Sequence, residues 1–292
     1  MKLSYALFLG CVVPAREPSY ELSVRKVFRE LGFNLVDLKG ATCCAPIPVE
    51  SLSFKTSLAI AAYNLCLAEE ADLDLMTICN GCFQVLSRAN MLLKKDEKLR
   101  ADVNGVLVEV GKEFEGTRNV RDYLQVIHGD LGLEKIRGSI SKSLKELKAA
   151  TFYGCHILKP SSVLMFDDPE RPHIIDDLVD ATGAKSIPYL HKMRCCGGLL
   201  RGVSDDLARK LARDKLFNVS QAQVDCIVTV CPFCFLQLDL GQLEVSRKFN
   251  EPYKIPILHY PELLGLAMGM TPDELGLHTH RIPTEPMINK IG

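Results

Sequence analysis

Along this chain, short apolar runs that stop at cysteines alternate with stretches of helical periodicity. Leu7 to Leu9 and Phe152 to Tyr153 read as strands, as do Leu73 to Ile78 and Cys226 to Val230. Each is apolar or β-branched and closes on a turn signal. Between them, Ser23 to Leu31 carries apolar residues at positions 24, 27, 28 and 31, one face of a helix, with Gly32 as its stop. Residues 83–95 and 204–220 fit helices as well. Alternation of strand and helix predicts an α/β fold with parallel sheets and crossover helices. No apolar run reaches the roughly 18 residues of a membrane span, so no membrane insertion is expected.

The cysteines carry a second pattern. Cys11, 31 residues, Cys43-Cys44, 34 residues and Cys79-x-x-Cys82 are followed by Cys155, 39 residues, Cys195-Cys196, 34 residues and Cys231-x-x-Cys234. Cys43, Cys44, Cys79 and Cys82 each have a partner 152 residues later. The surroundings agree: Tyr5 to Cys11 matches Ala149 to Cys155 in kind, and Leu75 to Ile78 matches Ile227 to Val230. A weaker echo joins Val120-Arg121-Asp122-Tyr123 to Ile257-Leu258-His259-Tyr260. The period is far longer than a solenoid repeat. It predicts two duplicated Rossmann-like domains, residues 1–148 and 149–292, related by pseudo-twofold symmetry. Cys66 and Cys226 have no repeat partners and are expected to be buried, inert thiols.

Composition narrows the chemistry. Of 292 residues, 47% are apolar and 24% charged, enough for a substantial core without disulfide staples. A formal net charge of −1 argues against a general nucleic-acid binder. The start of the chain faintly resembles a secretion leader, but its counterpart near residue 155 argues for a structural segment, and a cytoplasmic location is expected. In a reducing compartment, twelve clustered cysteines read first as metal or redox sites. Both Cys-x-x-Cys motifs are expected to open helices, where free N–H groups favour thiolate. Five thiolates per set exceed the four of a closed zinc site and the four of an ordinary cubane cluster. An adjacent pair, whose side chains diverge in extended chain, suits a larger irregular cluster. Iron–sulfur is favoured; zinc and redox dithiols remain alternatives. Gly197-Gly198 lets the backbone approach closely after Cys195-Cys196, whereas Ala45-Pro46 makes the first loop stiffer.

Two copies of Cys…Cys-Cys…Cys-x-x-Cys resemble the cysteine-rich family named for its Cys-Cys-Gly signature. Cys195-Cys196-Gly197 matches that signature in full, and Cys43-Cys44-Ala45 departs at the third position. The segments Phe8 to Cys11, Tyr63 to Cys66, Cys79 to Phe83 and Leu258 to Ala267 are similar to the B subunit of heterodisulfide reductase across the whole length. The resemblance implies a noncubane [4Fe-4S] cluster on each set of five cysteines. It also implies a substrate between the two clusters: the mixed disulfide of coenzyme M and coenzyme B. The partners it implies are an iron–sulfur C subunit and a flavin-bearing A subunit, within a hydrogenase or formate dehydrogenase assembly. The absence of a nucleotide fingerprint fits flavin chemistry on a partner chain. His156, directly after Cys155, is a candidate proton donor where Val12 stands in the first copy. Lys159, Arg194 and Arg201 are candidates for the substrate's anionic groups. The competing expectation is electron transfer within another oxidoreductase, of the lactate or glycolate oxidase or succinate dehydrogenase type.

Overall fold

The computed structural model describes residues 3–291. Two four-stranded sheets contain only parallel pairs. The first holds β1 (Ser4–Phe8), β2 (Asn34–Asp37), β3 (Leu75–Thr77) and β4 (Val120–Asp122) in the order β2-β1-β3-β4. The second holds β5 (Lys148–Phe152), β6 (Lys185–Ser186), β7 (Cys226–Thr229) and β8 (Ile257–His259) in the order β6-β5-β7-β8. The expected duplication is therefore a repeat of topology.

Strand alternation sorts the side chains. Tyr5 and Leu7 of β1 and Met76 of β3 face one core, which continues into Ala149, Val228 and Leu258 of the second sheet. Ala6, Phe8 and Leu75 face a separate core with helix Phe54–Glu70. Ala150, Phe152 and Ile227 do the same on the other side, with helix Asp205–Gln221. The shared core joins the two halves, and helix Tyr260–Ala267 packs directly on helix Pro18–Glu30. Glu17 reinforces this seam: its Oε2 lies 2.8 Å from His259 Nε2, both side chains fully buried. Burial pushes His259 down to about 3, so the imidazole is neutral, stacked between Tyr20 and Phe235.

The weak echo in the sequence proves to be a structural repeat. β4 and β8 each run into a helix whose first residue is the echoed tyrosine. Gln125 Oε1 accepts from the Asp122 N–H at 3.0 Å, and Glu262 Oε2 accepts from the His259 N–H at 2.8 Å. Helix Phe54–Glu70 has no counterpart in the periodicity reading. It is buried around most of its circumference, so no single apolar stripe marks it. Its start is fixed by Ser53, whose Oγ accepts from Thr56 N at 3.2 Å.

Candidate functional site

Each sheet reverses its winding between its two central strands, and ligands gather beyond the carboxyl ends of strands at such a point. Cys11 and Cys79 follow β1 and β3 there; Cys155 and Cys231 follow β5 and β7. Both Cys-x-x-Cys motifs open helices as expected. Cys79 is the N-cap of Asn80–Lys95 and Cys231 that of Pro232–Phe249. Each N-cap carbonyl accepts from the residue after the second cysteine: Phe83 N at 2.8 Å and Phe235 N at 2.9 Å. A single cavity is lined by all ten predicted cysteines: Cys11, Cys43, Cys44, Cys79 and Cys82 from one half, Cys155, Cys195, Cys196, Cys231 and Cys234 from the other.

Nine of the ten thiols form a continuous chain of contacts. In the first half it runs Cys43, Cys44, Cys82, Cys79. Cys79 then meets Cys231 across the seam. In the second half it runs Cys231, Cys234, Cys196, Cys195, Cys155. The Cys196 and Cys234 sulfurs are 3.5 Å apart. From Cys43 to Cys195 the order of these eight is palindromic under the repeat, with Cys79 and Cys231 at its centre. Cys11 stands at the exposed edge.

The thiols in this chain compete for protons. Cys43 and Cys82 hold the Cys44 thiol down to about 4; Cys231 and Cys82 hold Cys79 down to about 5; Cys155 and Cys196 hold Cys195 down to about 2. Their partners are pushed the other way. Contact with Cys195 takes Cys196 up to about 12. Cys231 is lowered by Cys234 but raised further by Cys79 and burial, and also lies at about 12. Cys44, Cys79 and Cys195 are thus held toward thiolate while Cys196, Cys231 and Cys234 are held protonated, an arrangement that bound metal relieves by replacing the protons.

The surroundings shape this donor set. Gly10 (φ +69°) and Gly154 (φ +72°) precede the first cysteine of each set. A Cβ at Gly10 would lie 3.0 Å from Cys82 Sγ, and one at Gly154 would lie 3.2 Å from Cys234 Sγ. The same clearance around the same sulfur is kept in both halves. The adjacent cysteines do not diverge as extended chain would. Gly197 takes φ +82°, and the N–H groups of Gly197 and Gly198 donate to Cys195 Sγ and Cys196 Sγ, each at 3.3 Å. In the first half Ala45 adopts the same left-handed turn at φ +58°, at a cost of about 1 kcal/mol. The turn is thus kept in the first half without the glycine. Among the described residues, no three His, Cys, Asp or Glu side chains converge on the position of a single metal ion. Sulfurs strung in a chain instead suit a group with several irons, and an all-thiol donor set is one that iron–sulfur clusters use.

The other predicted residues divide. His156 lines the cavity, as does Val12, its counterpart. Lys159, Arg194 and Arg201 are not among the lining residues. Lys159 Nζ is 3.9 Å from Glu170 and largely exposed. Arg194 pairs with Asp214 at 3.1 Å. Arg201 Nε donates to Gln237 at 2.7 Å and its Nη1 lies 2.6 Å from Glu244. Cys66 and Cys226 are buried in the apolar cores, and burial lifts Cys66 to about 12. Asn80 and Gln84 line the cavity unforeseen. Both reach across the seam, Asn80 Nδ2 to Tyr153 O and Gln84 Nε2 to Lys159 O, each at 2.8 Å. The signal for Asn80 lay inside the motif, where the second copy has Pro232 instead.

Two cysteine sets on two copies of one parallel-sheet unit define a tandem cysteine-rich protein. The model of the cysteine-rich domain matches residues 5–87 and 149–239, and the chain belongs to that family. It is 43% identical over 290 residues, 98% of this chain and 96% of the relative, to the B subunit of ferredoxin:CoB-CoM heterodisulfide reductase of Methanosarcina mazei. It is 30% identical over 278 residues, 95% of this chain and 96% of the relative, to the 8-methylmenaquinol:fumarate reductase membrane anchor subunit of Wolinella succinogenes. A hypothetical protein from Helicobacter pylori shares the fold, with a TM-score of 0.78 at 17% identity over 96% of this chain, which spans 52% of that solved chain. No described helix is long and apolar enough to cross a membrane.

Proposed function

We propose that this chain is the catalytic iron–sulfur subunit of a CoB-CoM heterodisulfide reductase. In this reading each set of five cysteines holds a noncubane [4Fe-4S] cluster, and the mixed disulfide is cleaved to two thiols in the cavity between them. The observation that carries it is the palindromic thiol chain lining one cavity from both halves. Similarity to the B subunit of heterodisulfide reductases over nearly the whole chain supports it.

Cleavage of the disulfide takes two electrons and two protons and leaves two thiols. When bound, the clusters supply electrons singly and iron that accepts sulfur. The chain supplies the rest. Leu9, Val12, Pro46, Ile47, Leu199 and Phe233 give the cavity apolar walls that exclude water from the breaking bond. His156, on the wall beside Cys155, delivers a proton to a departing thiolate. Of the three basic candidates, Lys159 is the one free to turn toward an anionic group, because Arg194 and Arg201 are held by closer carboxylates. The proposed partners are the iron–sulfur C subunit and the flavin-bearing A subunit of the reductase, within a cytoplasmic hydrogenase or formate dehydrogenase assembly.

The test uses anaerobically prepared protein, a reduced viologen dye and the mixed disulfide. Roughly eight irons with matching sulfide per chain, and two thiols formed per disulfide, are expected. A chain that carries the iron but leaves the disulfide intact would sink the catalytic reading. It would favour electron transfer within another oxidoreductase instead, which is consistent with the similarity to the fumarate reductase protein.

A further inference from the structure

The ten cysteines obey the repeat; the residues behind them do not. Lys215, on helix Asp205–Gln221, is 1% exposed. Lysines are almost never this buried without a paired anion. Its Nζ donates to the carbonyls of His191 and Lys192, in the loop that leads into Cys195-Cys196. It lies 4.5 Å from the ring centroid of Phe152 and 5.3 Å from that of Tyr189. No carboxylate of the described residues forms an ion pair with it, and its neighbour Asp214 is engaged by Arg194 and His191. The acidic groups that bear on it most are the thiols of Cys196 and Cys234, which carry negative charge once deprotonated to hold a metal group.

A buried ammonium left unpaired is costly, so this site is built around a negative charge that stands among the cysteines. Burial lowers Lys215 to about 8, which leaves it mostly charged at neutral pH. Among the described residues of the first half, no lysine or arginine is buried to this degree. Position 63, which is 152 residues earlier on the matching helix Phe54–Glu70, is Tyr63. A fixed positive charge beside one redox group and not the other separates their potentials, because the added electron is stabilised only where the cation is.

We propose that Lys215 is the built-in counter-charge of the group on the second cysteine set and makes it the easier of the two to reduce. Electrons supplied by a low-potential one-electron donor then collect on the side of Cys155, next to His156. Through the carbonyls it holds, Lys215 is also a positioning residue for the Cys-Cys loop. The inference rests on the two-cluster reading above.

The experiment is an anaerobic redox titration of the complete, iron-loaded chain, followed by electron paramagnetic resonance, for wild type, Lys215→Gln and Lys215→Arg. Wild type is expected to show two midpoint potentials. Lys215→Gln shifts the higher one negative and leaves the lower in place, while Lys215→Arg restores the wild-type pair. Movement of the lower potential, movement of both, or no movement overturns the proposal. So does an equal shift in Lys215→Arg, which would assign the effect to loop geometry. If Lys215→Gln loads only one set, loading restored by Lys215→Arg upholds the counter-charge, and loading lost in both variants overturns it. A wild-type chain with a single redox centre takes down the two-cluster reading itself, and this inference with it.

Discussion

Gly154→Ala tests whether the site is built to the clearance of its sulfurs. Gly154 has φ +72°, and an added Cβ would lie 3.2 Å from both Asn80 Nδ2 and Cys234 Sγ. Neither neighbour is a flexible tip. Cys234 is buried at the start of its helix, and Asn80 is buried and committed to Tyr153 O at 2.8 Å across the seam. Gly32 is the control: it has φ +83° but nothing within 4 Å of its added Cβ. Left-handed backbone costs an alanine about 1–2 kcal/mol at either position. Crowding adds about 1–3 kcal/mol at Gly154 alone, and a weakened Asn80 bond adds roughly 1 kcal/mol more. The expected losses are therefore about 1–2 kcal/mol for Gly32→Ala and roughly 3–6 kcal/mol for Gly154→Ala. Anaerobic urea unfolding followed by circular dichroism reads the first difference, and iron content reads the second. Gly32→Ala keeps its iron, and Gly154→Ala loses part of it. Equal stability losses with full iron in both variants would refute the idea that the glycine is there for the sulfur.

Other residues make separate predictions. Asp122 is fully buried, its Oδ2 has no partner, and burial lifts it to about 8 against the bond from Leu124 N. Its folded form therefore binds a proton that the unfolded form has released above the ordinary carboxylate range, so stability falls as pH rises toward 8. Asp122→Asn removes that slope and is more stable than wild type at pH 8 by roughly 2–4 kcal/mol; parallel denaturation midpoints for the two proteins at pH 5 and pH 8 would contradict it. His156→Gln leaves iron content and KM in place and lowers kcat by about a hundredfold, the scale of a lost proton donor; unchanged kcat would return His156 to a packing role. Arg201→Ala loses its bonds to Gln237 and Glu244 and about 1–2 kcal/mol of stability with KM unchanged, whereas Lys159→Ala raises KM for the disulfide several-fold; the reverse pattern would exchange their roles.

What could be read from the sequence was whatever local chemistry repeats. The Cys-x-x-Cys helix starts, the strands before them and the 152-residue offset are all local or periodic features, and the structure has them. Helix Pro18–Glu30 starts five residues before the periodic stretch at Ser23, because its first turn is set by Pro18 rather than by apolar spacing. Contacts between distant segments leave no such trace. Nothing around Cys79 announces Cys231. Arg194 and Arg201 flank the Cys-Cys loop in sequence, yet Asp214 and Glu244, brought in by helices that follow, hold both. Proximity along the chain placed these arginines near the sulfurs; pairing in space decides where their charge points.

Duplication also explains why the ligands could be found and the directionality could not. A repeat identifies residues that both copies share, and the ten cysteines are shared. Two identical sites would give an electron no reason to prefer one side and a proton no preferred point of delivery. Any direction in the reaction must therefore lie at positions where the copies differ. Along the site these include Val12 against His156, Tyr63 against Lys215, Asn80 against Pro232 and Gly81 against Phe233. The first two differences put a titratable imidazole and a buried cation on the same half, around Cys155, Cys195 and Cys196. Proton and counter-charge belong where electrons end, because a thiolate leaving as a thiol needs both a proton and a stabilised electron pair nearby. The second half is thus the discharging side of the proposed reaction, and the first, with Cys11 at its exposed edge, the side that receives.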